Sequence, residues 1–343
     1  MLLTPEDARL GWWCPQPVAG AGDPVRLERF PRDCQTILNG QIGPLANLRS
    51  SSGCAVVVTT DSPWVELRLD RLRHHQPVPQ AVALEVEPFS DEPGISAESA
   101  DLRESSGAVA VRLATGIERG LPPRACWLWL PPISTVAVAG VAIAAGSQVA
   151  PTVLPAPRWL AIGDSLTQGF SVQSPRAAWV HRLANRWRLP AWNLGIGGIL
   201  IEPQVFSWAL SACRWDLVTI ALGSNHGWKA STIDQVAERA AVLAEAAGAC
   251  PARRVAWILP PWKACEDGLG PPDFAGVPLD RATGERMTQV RTTLRTSLAG
   301  FAPRLQLIDD IVPHDARLLP DGLHPAAHGS ALIAERIAAA LTP

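Results

Sequence analysis

The chain has 343 residues, of which 47% are hydrophobic and 18% are charged, and its 30 Lys and Arg against 32 Asp and Glu leave a formal net charge of −2. This much apolar material is enough for two cores and excludes a disordered chain. The balanced charge excludes the basic footprint that binding to a nucleic acid or to an anionic membrane requires. No apolar run approaches a membrane span, and the first residues show no signal-peptide pattern, so we expect a soluble cytoplasmic protein.

The residues that commonly bind metals are not clustered in this sequence. Seven scattered cysteines form no Cys-x-x-Cys pair, which is typical of reduced thiols in a cytosolic protein. The adjacent His74 and His75 lie in a polar stretch flanked by proline, and we expect them in an exposed turn rather than at a metal. The sequence therefore predicts no metal and no other cofactor.

Residues 1–150 are predicted to form an all-β, jelly-roll-like sandwich that serves as an accessory domain. Short β-prone runs are separated by turn residues at the spacing that is common in sandwiches. The run at 64–69 alternates apolar and polar residues, as a half-buried antiparallel strand does. The predicted strands are 54–60, 64–69, 81–86, 108–113, 126–130 and 135–144.

Residues 158–343 are predicted to form an α/β domain, after an extended connector with three prolines at 151–157. Short apolar strands alternate with helical segments, which indicates a doubly wound parallel sheet of flavodoxin-like order. Ligands bind beyond the carboxyl ends of such strands. The predicted strands are 159–162, 191–194, 217–222, 255–259 and 305–308, and the predicted helices are 177–188, 203–213, 233–247, 285–298 and 326–341.

Two segments of this half carry residues that suit nucleophilic catalysis. Ser165 follows the first strand in Gly163-Asp-Ser-Leu, where it would either expose its hydroxyl at the sheet edge or cap the next helix. Asp321 stands three residues before His324, and Gly322 permits a tight turn between them. Asp321 is thus able to accept from the imidazole while the other ring nitrogen takes a proton from a serine. Together the segments predict a catalytic site, whereas His324 alone would suit a surface turn.

Through these segments and two further blocks, the second half resembles the GDSL, or SGNH, hydrolase family. The family's four marker blocks recur in order across about residues 158–330. The resemblance implies Ser165 as the nucleophile, His324 as the general base and Asp321 as the orienting acid. It also implies an oxyanion hole formed by the backbone of Ser165 and Gly198 and by the side chain of Asn225. The blocks are Gly163-Asp-Ser-Leu, Asn193-Leu-Gly-Ile-Gly-Gly, Gly223-Ser-Asn and Asp321-Gly-Leu-His-Pro.

Further side chains near these blocks are candidates for binding substrate. Many family members carry an acidic residue where this chain has His226, which would either contact substrate or support the site indirectly. Trp228 and Trp262 follow strand ends, where they would wall an acyl or aromatic pocket or serve as ordinary core or surface tryptophans. A dinucleotide site is excluded, because the Gly-x-Gly-x-x-Gly spacing from Gly195 ends at Leu200.

The resemblance implies a serine esterase that acts on a small-molecule acyl ester. An acyltransferase that moves the acyl group to an alcohol, as in natural-product tailoring, is the alternative, and a catalytically dead carbohydrate-binding protein is a third possibility. The first half is similar in architecture to the β-domain of a subset that includes carbohydrate acetyl esterases and an acyltransferase of an aromatic polyketide. The long loop from Trp262 to Gly284 is either a lid that favours transfer or a surface excursion. The sequence leaves the oligomeric state open.

Overall fold

The structure of the chain is a computed structural model, and its residues group into two compact units. It describes residues 1–18, 23–75, 81–87, 98–228, 230–274, 276–279, 284–302 and 304–341. The first unit comprises Met1–Arg32, Leu45–Ala156 and Gln173–Arg176, and the second comprises Asp33–Pro44, Pro157–Val172 and Ala177–Pro343. The chain passes from one to the other in the proline-rich connector, but residues 33–44 group with the second unit.

The first unit contains two antiparallel sheets. One has the strand order β3-β4-β11-β6-β9, with β1 paired to β11, and the other has the order β12-β5-β10-β7-β8, with β2 paired to β5. The strands are β1 (Leu2–Leu3), β2 (Leu10–Trp13), β3 (Gln16–Val18), β4 (Val25–Glu28), β5 (Ala55–Thr60), β6 (Trp64–His74), β7 (Ala81–Val86), β8 (Ser99–Asp101), β9 (Val109–Ala114), β10 (Arg124–Trp129), β11 (Ser134–Ile143) and β12 (Val149–Ala150).

Alternating side chains of the two sheets share one core, which makes this unit a sandwich. On β6, Val65 and Leu67 are fully buried in that core, whereas Glu66 lies on the opposite face and pairs with Arg112 of β9. Leu128 of the second sheet is buried in the same cluster. The all-β sandwich is confirmed, and the period-two pattern of β6 follows from its one buried face.

Two features of the first 150 residues differ from the sequence-based expectations. Strands β1 to β4 and two short helices, α1 (Arg32–Ile37) and α2 (Ile42–Leu48), precede the first strand that the sequence predicted. The expectation of an exposed turn at His74 and His75 is wrong. His74 ends β6, both rings are half-buried, and His74 Nδ1 lies 2.7 Å from Ser134 Oγ. Burial lowers the pKa of His75 to about 4.

The second unit contains a parallel five-stranded sheet in the order β14-β13-β15-β16-β19. This is the flavodoxin-like order, in which the second, first, third, fourth and fifth strands lie side by side, as predicted. All five residues of β13 are buried, so both faces of the sheet are covered. The strands of this sheet are β13 (Trp159–Gly163), β14 (Ala191–Gly195), β15 (Trp215–Ala221), β16 (Ala252–Ile258) and β19 (Leu305–Ile308), while β17 (Asp273–Phe274) and β18 (Val277–Pro278) form a separate antiparallel pair.

Helices connect the strands of this sheet, as right-handed crossovers between parallel strands require. Helices α4 and α8 pack with β13 and β16 in one core cluster, to which Trp159 and Ile333 contribute. The helices are α3 (Ser165–Gln168), α4 (Trp179–Trp187), α5 (Pro203–Leu210), α6 (Val236–Ala249), α7 (Gly284–Leu298) and α8 (Ala327–Ala340).

The long loop after β16 has structure of its own. It begins with a single 3₁₀ turn at Ala264–Asp267 and continues into a two-stranded hairpin of β17 and β18. Residues 275 and 280–283 of this loop lie outside the described residues. The hairpin belongs to the second unit.

None of the helices in the described ranges has the length and apolar character needed to cross a membrane.

Candidate active site

Ser165 stands at the carboxyl end of β13, the second strand of the sheet order. It is the first residue of α3 and is 8% exposed. The helix is capped by Asp164, whose carboxylate accepts the Leu166 N–H at 3.0 Å. Because Asp164 performs the capping, the hydroxyl of Ser165 is left for another partner.

Asp321 and His324 lie on the turn between β19 and α8. Gly322 has a φ of +79°, which a residue with a side chain rarely adopts, so the tight turn that the sequence indicated depends on this glycine. The imidazole Nδ1 of His324 lies 2.8 Å from Oδ2 of Asp321. Since a carboxylate only accepts, Nδ1 carries the hydrogen and Nε2 is left as an acceptor.

The turn brings His324 to Ser165. Nε2 of His324 lies 2.9 Å from the Oγ of Ser165, and the imidazole is 6% exposed. The two hydrogen bonds form a continuous chain from the carboxylate through the imidazole to the hydroxyl. This series of hydrogen bonds allows a proton to move from the serine to the histidine while the carboxylate stabilises the resulting imidazolium.

The carboxylate of Asp321 is held by its own turn. Its Oδ1 accepts the backbone N–H groups of Leu323 at 2.9 Å and of His324 at 2.7 Å. Burial raises the pKa of Asp321, but the hydrogen bonds and charge of His324 and the Leu323 N–H outweigh it, so the pKa lies below its usual value. Asp321 is therefore ionised at neutral pH.

The block that contains Gly198 is tied to α3 by side-chain hydrogen bonds. Asn193 donates to the carbonyl of Thr167 at 2.6 Å, and the Gly197 N–H donates to Oε1 of Gln168 at 2.6 Å. A Cβ at Gly195 would collide with the backbone nitrogen of Gln168, which explains the glycine there. The next residue after this network, Gly198, is exposed.

Asn225 follows β15 and is half-buried in a short 3₁₀ segment. One of its amide hydrogens is donated to the carbonyl of Ile199 at 2.9 Å, next to Gly198 in the chain. An amide nitrogen has two hydrogens, so this bond fixes the orientation of the side chain and leaves the second hydrogen for another acceptor.

His226 occupies a supporting position. It is fully buried, its Nε2 accepts the Ile201 N–H at 3.1 Å, and its Nδ1 lies 2.9 Å from the Thr232 carbonyl. Both ring nitrogens therefore bind backbone. Of the two interpretations of His226 that the sequence left open, the structure favours indirect support of the segment beside Gly198 over contact with substrate.

Aromatic rings that sequence reasoning did not select surround His324. The ring centroid of Phe170 lies 4.4 Å from that of the imidazole, and the ring of Phe274 lies 5.3 Å away. Trp228 and Phe274 both pack against a small apolar cluster of Cys265, Leu279 and Leu323. No motif marked the two phenylalanines, because their neighbourhood to His324 arises only from the fold of the loop and of the residues after α3.

Trp262, in contrast, belongs to the core cluster below the loop. It is 8% exposed, its Nε1 donates to Asp267 at 3.0 Å, and its ring stacks on His314. This placement fits the core tryptophan of the sequence analysis rather than a pocket wall.

The adjacent Lys263 is also buried, and its charge partly offsets the burial that raises the pKa of Asp164.

Comparison with known proteins places this geometry in context. The sequence profile of the GDSL-like Lipase/Acylhydrolase family matches residues 161–332. No curated protein matches the sequence. A salicylyl-acyltransferase from a tetracycline biosynthetic pathway has a similar structure, with 18% identity, coverage of 99% of this chain and 96% of that chain, and a TM-score of 0.76.

Two further solved structures share this architecture. A protein from Bacteroides ovatus described as a GDSL-like lipase has 14% identity, coverage of 98% of this chain and 95% of that chain, and a TM-score of 0.76. An acetyl xylan esterase from the rumen bacterium Butyrivibrio proteoclasticus has 12% identity, coverage of 98% and 97%, and a TM-score of 0.57. At these identities the likeness establishes the fold, with its β-rich first part, and nothing finer.

Proposed function

Because the chain belongs to the GDSL-like lipase/acylhydrolase family, we propose that it is a serine esterase that cleaves a small acyl ester through an acyl-enzyme on Ser165. The observation that carries the proposal is the hydrogen-bonded chain from Asp321 through His324 to Ser165, with distances of 2.8 and 2.9 Å. Ser165 lies at the end of β13, and Asp321 and His324 lie together on a turn far along the chain. A structural role alone would not require these two segments to meet.

In this mechanism His324 transfers one proton in each half-reaction: the proton of Ser165 to the departing alcohol, and later a proton of water back to Ser165. The Ser165 Oγ bonds to the ester carbonyl carbon as its proton passes to Nε2 of His324, and the carbonyl oxygen becomes an oxyanion. When that intermediate collapses, the ester C–O bond breaks and His324 gives the proton to the departing alcohol. Water then attacks the acyl-enzyme with the same base and releases the acid and the free serine. Asp321 stays a carboxylate throughout.

The oxyanion needs hydrogen-bond donors that are already in place when its charge develops. We assign this role to the backbone N–H groups of Ser165 and Gly198 and to the free amide hydrogen of Asn225. The assignment is supported by the bond from Asn225 to Ile199, because it holds the amide beside the Gly198 turn. Trp228, in the apolar cluster next to His324, is our candidate for the wall of the acyl site.

The test is the removal of the nucleophile. Ser165→Ala should keep the melting temperature and lose nearly all cleavage of a panel of p-nitrophenyl esters of rising acyl length. A fluorophosphonate probe should add its mass to Ser165 in the wild type and not in the variant. Ser207→Ala, at an exposed serine of α5, is the matched control and should behave as the wild type. Turnover by Ser165→Ala at the wild-type rate would refute the mechanism.

Transfer of the acyl group to an alcohol is the second candidate, favoured by one observation. The hairpin of the long loop places Phe274 against His324, and an apolar cover of this kind limits the access of water to an acyl-enzyme. A salicylyl-acyltransferase is among the structures that share the fold. Supplying an activated acyl donor with hydroxylated acceptors, and weighing free acid against new ester by mass spectrometry, separates the two. Ester in excess at millimolar acceptor would make the protein a transferase.

The proposal also covers catalytic competence and cellular location. A catalytically dead carbohydrate-binding protein is disfavoured, because such a protein would have no need for the hydrogen bond between Ser165 and His324. A cytoplasmic location is supported by the cysteines, all seven of which are free thiols, as a reducing compartment would leave them.

A further inference from the structure

Ser171 has a backbone conformation that its residue type seldom adopts. Its φ of +63° lies in the left-handed region, which costs a residue with a Cβ free energy that glycine avoids. It follows Phe170, whose ring packs on the imidazole of His324, and Gly169, which ends α3 with a φ of +92°. Strained residues persist where surrounding contacts hold them, and they are frequent at active sites.

The contact that accompanies this conformation is a hydrogen bond to Asp321. The Oγ of Ser171 donates to Oδ2 of Asp321 at 3.3 Å, and Oδ2 is the same oxygen that accepts Nδ1–H of His324. The carboxylate thus accepts two backbone N–H groups at Oδ1 and two side-chain donors at Oδ2. Ser171 is half-buried, so water competes only partly for its hydroxyl.

We propose that Ser171 is a positioning residue for the Asp321–His324 pair. The inference deepens the proposed function and rests on it. The serine hydroxyl holds Oδ2 in place and takes up part of its charge, so that the carboxylate orients the histidine without holding it too strongly in the protonated form. The left-handed turn at Ser171 is what brings the hydroxyl to that oxygen.

The proposal makes a prediction about charge with a definite sign. Without the hydroxyl, Oδ2 keeps more of its negative charge for the imidazolium, which is then stabilised. A larger share of His324 is protonated at a given pH, so the acid side of the activity profile should move to higher pH. A role limited to backbone shape or to the packing of Phe170 would not move that profile.

The experiment compares Ser171→Gly, Ser171→Ala and Ser171→Asn. Glycine adopts the left-handed conformation freely and lacks only the hydroxyl, alanine lacks the hydroxyl and keeps the strain, and asparagine tolerates the conformation and restores a donor. For Ser171→Gly we expect kcat to fall about 2- to 10-fold, the effect of losing one long, partly exposed hydrogen bond, with KM unchanged. The pH of half-maximal activity should rise, and asparagine should recover part of kcat.

A signal that needs no substrate completes the test. The downfield proton resonance of the His324 Nδ1–H bond to Asp321 should shift in Ser171→Gly. Wild-type kcat, pH profile and proton resonance in Ser171→Gly would overturn the role of Ser171, as would a loss seen in Ser171→Ala alone. Fluorophosphonate labelling of the wild type distinguishes a failure of the role of Ser171 from a failure of the proposed function. If Ser165 is labelled, only the role of Ser171 has failed. If it is not, the proposed function fails and the role of Ser171 with it.

Discussion

The ring of Phe274, on the hairpin after β16, lies 5.3 Å from the imidazole of His324, on the turn before α8. Phe170 touches both, with its ring 5.7 Å from that of Phe274. The imidazole is therefore flanked by two aromatic side chains from separate segments of the second unit. The long loop is thus part of the surroundings of the candidate base.

Removing the Phe274 ring should change how the acyl-enzyme is resolved. Phe274→Ala exposes His324 to water, so the ratio of free acid to transferred ester should rise, and kcat/KM for apolar esters should fall about 2- to 10-fold, the range of one aromatic contact. Val277→Ala is the control, because Val277 belongs to the same hairpin and is 46% exposed. An unchanged product ratio in Phe274→Ala would remove the loop from the mechanism.

His324, which bonds to Ser165, should matter at least as much for the rate as Asp321, which bonds only to His324. His324→Ala should lower kcat on the order of 10⁴- to 10⁶-fold, and Asp321→Asn should cost no more, because the carboxylate only orients and stabilises the ring. His328→Ala, at an exposed histidine of α8, is the control. Steady-state kinetics on one p-nitrophenyl ester measures all three. An aspartate variant slower than the histidine variant would contradict the assigned roles.

The pH dependence should have two separate parts. Activity should fall on acidification, because a protonated His324 is unable to take the proton of Ser165. The stability contributed by Asp321 behaves differently: its pKa is depressed in the folded chain, so that contribution is complete above the unfolded value of about 4 and is lost as the pH falls through the folded pKa. The difference in unfolding free energy between the wild type and Asp321→Ala should therefore shrink below about pH 4. Denaturant titrations at pH 3 and 7 check this, and an equal difference at both would contradict it.

Asn225 should contribute to the rate more than to binding. Asn225→Ala removes one oxyanion donor. Loss of such a donor lowers kcat about 10²- to 10³-fold in other enzymes, and we expect a similar loss here with KM nearly unchanged. Because the side chain also bonds to Ile199, the melting temperature is measured in parallel. Asn39→Ala, at an exposed asparagine, is the control. A kcat within twofold of the wild type would exclude Asn225 from the oxyanion hole.

Metal removal should have no effect. In the part of the chain that the structure describes, no group of three or more His, Cys, Asp or Glu side chains is arranged to hold a metal ion. Dialysis against EDTA should leave the rate of ester cleavage and the melting temperature as they were. A loss of activity that added zinc restores would point to a site that the sequence and the described residues do not reveal.

The sequence predicted the backbone of the second unit well, because each element there has its own local signal. Buried strands such as β13 read as short apolar runs, and the strand order follows from the crossover rule. Ser165 and His324 could be paired in advance because the strand ends share one edge of the sheet. Only the structure shows the hydrogen bond itself, and only the structure shows that Asp164, not Ser165, caps the helix.

What the sequence missed depends on contacts between distant segments. Ser171 and Phe274 carry no motif, and each reaches the site through a left-handed turn or a hairpin whose placement is set by packing. His74 was expected in a turn because its neighbours are polar, but β6 continues through it by pairing with β11. Tertiary pairing overrode the local pattern there.

Residues 33–44 belong to the second unit but are synthesised long before the rest of it. They leave the ribosome about 110 residues before Pro157, yet they group with everything that follows it. Within that unit Cys34 donates to the Val205 carbonyl at 3.5 Å, and Pro44 lies where a side chain at Gly198 would be 3.6 Å away. The unit therefore closes by a contact of long sequence separation, which slows folding. A fragment that begins at Pro157 contains every family block, but it lacks the neighbour of Gly198 and should fold with lower stability than the full chain.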